Sequence, residues 1–247
     1  MEIKAIACDV DGTLTDASGL LDLRAVETIR CLEAAGLPFI LATARDYVSA
    51  SALAAFIGTC GVVAAEDGSV IGNCRSRQPP LVLGDRAEIE RGVAVLREAF
   101  GDQLAVRRMP GTPGRIGNSA TIRRTFDVGQ GNAILERIGI QARLLDGGSY
   151  YHLVGVKTDK GQGVRRAARL LGIDAEHVVA IGDNYNDLDM FAMAGYSIAV
   201  GNAPQAVKEK VDFACSASFG EGFREGLRHA LDRFLPADVR IPLGTVP

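Results

Sequence analysis

Short apolar runs alternate with amphipathic segments at both ends of the chain, and that alternation restricts the fold more than any other feature. Residues 3–8, 37–42 and 62–64 are apolar stretches of strand length. Between the first two, Leu23, Val26, Ile29 and Leu32 repeat at helical spacing, and Gly36 closes the segment. Residues 47–56 read as a second helix. A β-α-β-α-β order with short links implies parallel strands with helices on both faces. The same pattern returns after residue 157. It gives a helix at 162–171, strands at 178–181 and 197–200, and helices at 188–194, 203–208 and 222–234.

The middle of the chain is different. Residues 66–75 read as a hairpin turning at Gly68 or Gly72. Residues 85–100 and 132–138 have helical patterns, while 104–109 and 120–126 alternate as half-buried strands do. Residues 142–145 and 150–154 are strands joined across Gly147-Gly148, a strong hairpin signal. Residues 110–118 are a loop by composition, and the proline-containing tail 236–247 is either an extended strap or disordered. The expected fold class is therefore α/β, a doubly wound parallel sheet built from residues 1–77 and 157–247. An α+β module is inserted at 78–156.

Composition removes several function classes. A net charge of -3 over 247 residues argues against a nucleic-acid surface. No apolar window approaches the ~18 residues of a membrane span, and the N-terminus has no signal-like segment, so no membrane partner is expected. The 5 cysteines form no CxxC pair and are odd in number. They read as reduced thiols, which suits a cytoplasmic location.

In an open parallel sheet, ligands bind beyond the carboxyl ends of the strands. Asp9 and Asp11 follow the first strand, Thr43-Ala44-Arg45 the second, and Asp183 to Asp187 the strand at 178–181. Asp9, Asp11, Asp183 and Asp187 on one rim raise one another's pKa unless a cation compensates. A hard divalent ion bound by oxygens meets that need, and Mg²⁺, which also binds substrate phosphate, fits. The 3 histidines are not at metal-ligand spacing, which argues against zinc. Gly161-Gln162-Gly163 begins a dinucleotide fingerprint, but Arg166 occupies the position of its last glycine.

Four segments carry a resemblance. "DVDGTLTD", "LATAR", "VKTDKGQGV" and "IGDNYNDLDM" resemble, in order, the four motifs of the haloacid dehalogenase superfamily of aspartate-nucleophile phosphatases. The insert resembles the α/β cap of the Cof-like branch, which includes phosphoglycolate and sugar-phosphate phosphatases and phosphomannomutases. The resemblance implies an Mg²⁺-dependent phosphomonoesterase acting on a small phosphorylated metabolite through an aspartyl-phosphate. It makes Asp9 the nucleophile and Asp11 the general acid and base, the latter also lending its backbone carbonyl to the metal. Thr43, Ala44 and Lys160 would bind phosphate, and Asn186 would donate to phosphate or orient a ligand carboxylate. Asp9, Asp183 and Asp187 would hold Mg²⁺, one of the last two directly or through water. Lys160, rather than Lys157, stands where the family places its lysine. Ala44 departs from the glycine common in the second motif but keeps the backbone N–H. A phosphomutase and a non-catalytic phosphate-responsive module are the alternatives, the second disfavoured by the intact Asp9, Asp11 and Lys160. Arg107, Arg108, Arg115, Arg123, Arg124 and Arg143 are candidates for an anionic leaving group. Adjacent strand residues point to opposite faces, so at most one of each arginine pair is expected to face the site.

Overall fold

β1 (Ala5–Cys8) runs through the middle of the larger of two sheets with all four side chains buried. The structure is a computed structural model that describes residues 2–109, 119–148, 150–235 and 241. The loop read at 110–118, with Arg115, and the tail apart from Ile241 lie outside the described residues.

The first part of the chain continues with α1 (Leu23–Ala34), β2 (Phe39–Ala42), α2 (Tyr47–Ile57), β3 (Val62–Ala65), β4 (Val70–Asn73) and β5 (Leu81–Val82). The middle supplies α3 (Arg86–Phe100), β6 (Val106–Arg108), β7 (Ser119–Arg123), α4 (Val128–Ile138), β8 (Ala142–Asp146) and β9 (Tyr150–Gly155). The last part comprises α5 (Lys160–Leu170), β10 (Val178–Gly182), α6 (Leu188–Met193), β11 (Tyr196–Ala199), α7 (Gln205–Lys208), β12 (Phe213–Ala214) and α8 (Phe219–Phe234).

The larger sheet has the order β12-β11-β10-β1-β2-β3-β4-β5. Its pairs from β12 to β3 are parallel, and β4 and β5 are antiparallel additions at one edge. Side chains alternate between two cores, as the period of a strand requires. Ile6 and Cys8 pack with residues of α1, α2 and α8, while Ala5 and Ala7 pack with residues of α5, α6 and α7.

Two readings need correction here. The hairpin expected within 66–75 is instead the pair β3–β4, with Ala65 opposite Val70 and residues 66–69 as the turn. Gly68 does mark the turn, but the strand before it is β3 itself. Leu81–Val82, read as part of the insert, pairs with β4 in the larger sheet.

Aspartate caps decide where five helices begin. Asp22, Asp46, Asp85, Asp127 and Asp159 each accept backbone N–H groups of the following turn. Asp127 starts α4 four residues before the segment read as helical. Gly129 and Gly131 concealed that start, but a Cβ at Gly131 would lie 2.5 Å from Leu144, so close packing requires the glycine.

The second sheet has the order β6-β7-β9-β8 and is antiparallel throughout. One face, with Ala120, Ile122, Leu144, Tyr151 and Leu153, packs on Ile89, Val93 and Leu96 of α3 and Leu135 of α4. The pairings Thr121–His152 and His152–Leu145 put those residues on the opposite face. That face meets the larger sheet: Arg143 reaches Asp159 at 3.1 Å and Asp189 at 3.2 Å.

Phe223 of α8 is fully buried, edge-on to Phe39 at 5.8 Å between ring centroids. Phe223→Ala should cost about 3–5 kcal/mol, read from the midpoint of urea unfolding. A loss under about 1 kcal/mol would mean that the α8 contact is not part of the cooperative core.

Candidate active site

The chain leaves β1 towards β2 on one side and returns to β10 on the other, so the strand order reverses at β1. The loops after β10, β1 and β2 leave the same edge and form a crevice at this switch point. The Asp9 N–H donates to the Ile181 carbonyl at 2.9 Å, which holds Asp9 one residue beyond the strand end. Gly12 has φ +90, and a Cβ there would sit 2.6 Å from Asp183 Oδ2. Only glycine lets these two loops approach so closely.

Lys160 is the first residue of α5 and is 1% exposed. Its Nζ donates to Asp9 Oδ1 at 2.5 Å and to Asp187 Oδ1 at 2.7 Å. Asp187 Oδ2 accepts the N–H groups of Asp183 and Asn184 at 2.9 and 3.0 Å. Asp183 accepts from Thr13 Oγ1 at 3.3 Å and from Asn202 Nδ2 at 3.3 Å. Asn202 Nδ2 also donates to the Gly12 carbonyl at 2.9 Å.

Asp9, Asp183 and Asp187 are all buried, and each offers an oxygen within 4.8 Å of the others. Burial, with Asp187 next, pushes the Asp183 carboxyl up to about 7. Asp9 is raised too, by burial first, against the pull of Lys160. Burial would lower Lys160, but Asp187 and Asp9 hold it above its ordinary value. Three carboxylates against one ammonium leave two uncompensated negative charges when all are ionised. An all-oxygen donor set with that deficit fits a hard divalent cation.

The remaining site residues predicted from sequence fall around this cluster. The Asp11 side chain lies outside it, half-exposed, in a two-pronged pair with Arg45 at 2.8 Å from Nε and 2.5 Å from Nη2. Thr43 is fully buried, and its Oγ1 accepts the Arg45 N–H at 3.1 Å. Ala44, Asp11 and Arg45 line one side of a cavity of about 320 Å³, whose other walls are Arg107, Arg108, Thr121, Tyr150 and His152. Asn186 Nδ2 donates at 3.2 Å to Asp67, not to a carboxylate of the cluster. Lys157 is exposed.

The expectation about arginine pairs fails at β6. The β6–β7 register shifts between Val106 and Arg108, and both Arg107 and Arg108 line the cavity. A bulge adds a residue to one strand and so breaks the alternation of faces. Arg107 also lies 5.7 Å over the Tyr150 ring. Arg124 pairs with Asp146 at 2.9 Å, Arg143 is committed to Asp159 and Asp189, and Arg123 is exposed.

Asp67 and Asn202 were missed in the sequence. Asp67 follows β3, and an Asp-Gly pair after a strand was a signal that could have found it. Asn202 lies in the turn after β11 and carried no comparable mark. Among the described residues, no helix is long and apolar enough to cross a membrane.

The sequence matches the model of haloacid dehalogenase-like hydrolases over residues 6–79 and 134–223. A phosphoglycolate phosphatase of Archaeoglobus fulgidus is 36% identical over 228 residues, covering 91% of this chain and 96% of that protein. The crystal structure of a Thermoplasma acidophilum protein superposes with a TM-score of 0.77 at 23% identity, covering 93% of this chain and 98% of the other. The sucrose-phosphatase of Synechocystis, solved with sucrose and phosphate, gives a TM-score of 0.71 at 18% identity and covers 96% and 100% of the two chains.

Lys160→Met should cost about 3–5 kcal/mol in urea unfolding with chelator present, because Asp9 and Asp187 lose their buried counter-charge. A loss under about 1 kcal/mol would show that the carboxylates neutralise themselves by taking up protons.

Proposed function

Since the chain belongs to the haloacid dehalogenase-like hydrolase family, we propose that it releases phosphate from a small phosphorylated carboxylic acid, such as phosphoglycolate, with Asp9 as nucleophile and Mg²⁺ as cofactor. It is a phosphoric monoester hydrolase. The observation that carries the finer reading is Lys160 bonded to Asp9 and Asp187 beside the all-oxygen cluster.

Asp9 attacks phosphorus, and the bond to the leaving oxygen breaks as Asp11 donates a proton to that oxygen. Water then attacks the aspartyl-phosphate, Asp11 takes the proton, and Asp9 is released as a carboxylate with inorganic phosphate. Covalent catalysis of this kind divides one difficult displacement into two easier ones. Lys160 offsets the repulsion between Asp9 and the phosphate dianion. Thr43 and the N–H groups around Ala44 receive the phosphate oxygens. Asp9, Asp183 and the Asp11 carbonyl would hold Mg²⁺, which when bound neutralises charge on the phosphoryl group. Asp187 has both oxygens engaged by Lys160 and two backbone N–H groups, so it would serve Mg²⁺ through water while holding Lys160 and the 183–187 loop in place.

The Asp11 side chain is paired with Arg45. Its acid role requires it to leave Arg45, take up a proton from solvent and turn to the substrate, and Arg45 then faces the cavity unpaired. With Arg107 and Arg108 this gives three guanidinium groups around the leaving group, chemistry that favours a carboxylate over a neutral sugar. The second sheet with α3 and α4 acts as a cap that closes on the substrate and excludes water. The pairing of β5 with β4 supports a start for that cap just after Val82 rather than at residue 78.

Phosphate release from phosphoglycolate should vanish in chelator and return with Mg²⁺. Asp9→Asn should be inactive, and Asp11→Asn should lose about 10²–10⁴-fold in kcat. Release by Asp9→Asn at wild-type rate would remove Asp9 as nucleophile. Arg108→Gln should raise KM for phosphoglycolate about 10- to 100-fold and leave p-nitrophenyl phosphate hydrolysis unchanged. An equal loss on both substrates would argue against carboxylate recognition.

A further inference from the structure

Asp67 is a fully buried carboxylate that the reaction above does not use. It lies in the turn between β3 and β4, where Glu66 and Asp67 both take left-handed backbone, with φ 51 and 54. Non-glycine residues rarely adopt that conformation, so the surroundings must hold it. The Glu66 N–H donates to the Arg45 carbonyl at 2.9 Å, and the Asp67 N–H to the Thr43 carbonyl at 3.2 Å. Gly68 lies so near the start of α5 that a Cβ there would sit 2.0 Å from the Asp159 carbonyl oxygen.

The Asp67 side chain makes two further contacts. Its Oδ1 accepts from Asn186 in the loop after β10, and its Oδ2 lies 2.6 Å from His152 Nδ1 on β9. Burial would push this carboxyl up, but the neighbouring His152 holds it well below the usual range. His152 is itself buried, on the face of the second sheet that lines the cavity beside Asp11. The turn therefore touches the loop of Thr43, the loop of Asn186, the base of the Lys160 helix and the second sheet. Among the described residues, the ion pairs of Arg143 with Asp159 and Asp189 also join the second sheet to the larger part, but Arg143 is 35% exposed.

We propose that the Asp67–His152 pair couples the second sheet to the phosphate-binding loops, so that Thr43 and Asn186 are correctly placed only while that sheet is seated. Asp67 and His152 are thus positioning residues. Asp67, fully buried, has His152 as its partner from the second sheet, so unseating that sheet leaves the carboxylate short of a contact. The kinetic consequence rests on the phosphatase reading; the mechanical coupling does not.

Hydrogen exchange on the full chain tests the coupling without any need for activity. His152→Ala should speed exchange of the 66–69 amides, and Asp67→Asn that of the β9 amides, each about ten-fold or more. His152→Asn keeps an N–H donor near the Nδ1 position and should change exchange far less. Changes confined to the mutated element would overturn the proposal, whether or not the chain hydrolyses anything. In assays with phosphoglycolate and p-nitrophenyl phosphate, His152→Ala and Asp67→Asn should each lower kcat about ten-fold, with KM within about two-fold. The loss should be the same for both substrates, no greater in the double variant, and largely restored in His152→Asn. A KM rise limited to phosphoglycolate would make His152 a substrate contact and overturn the proposal, as would additive losses in the double variant. Asp67→Asn is nearly isosteric and carries both measurements should His152→Ala fail to fold.

Discussion

Lys160 puts one ammonium between two carboxylates that the chain supplies from 151 and 27 residues away. The three groups are almost fully buried, where unpaired charge is costly. The ends of β1 and β10 and the start of α5 must therefore arrive together, or each brings an unmet charge. Close approach of the loops depends on Gly12, and the placing of the ammonium depends on the Asp159 cap that begins α5 at Lys160. Still, one ammonium is too little for Asp9, Asp183 and Asp187. The remaining negative charge is what suits the crevice to a cation.

Around that centre, the two sheets take different tasks. The parallel sheet buries β1 on both faces and leaves only its loop edge for chemistry. The antiparallel sheet buries one face under α3 and α4 and turns the other, with Thr121 and His152, to that edge. Its charges are divided among different partners. Arg143 is tied to Asp159 and Asp189, Arg124 to Asp146, while Arg107 and Arg108 stand at the cavity. A helical cap could not present a bulged arginine pair in this way. The local break in strand pairing supplies that geometry.

Much of this was legible before any coordinates. The apolar runs identified the central strands, because a strand buried on both faces has no polar side to show. Asp9, Asp183, Asp187 and Lys160 were legible because chain order and the rule for parallel sheets together put them on one rim. The hairpin at β3–β4 was misplaced because Glu66 and Asp67 were read as strand when they are a left-handed turn. The start of α4 was missed because glycine lowers helix propensity while packing against Leu144 demands it. The facing of Arg107 and Arg108 was wrong because a bulge leaves no mark in a regular alternation.

The sequence alone thus determined the α/β class and the acidic cluster with its lysine, since periodicity and residue type act over short stretches of chain. Tertiary structure alone decided that Asp11 rests on Arg45, that Asn186 serves Asp67, and that His152 reaches across from the other sheet. Those contacts join residues from separate elements. Their partners are chosen by how the sheets are seated, and no local pattern in the chain records that.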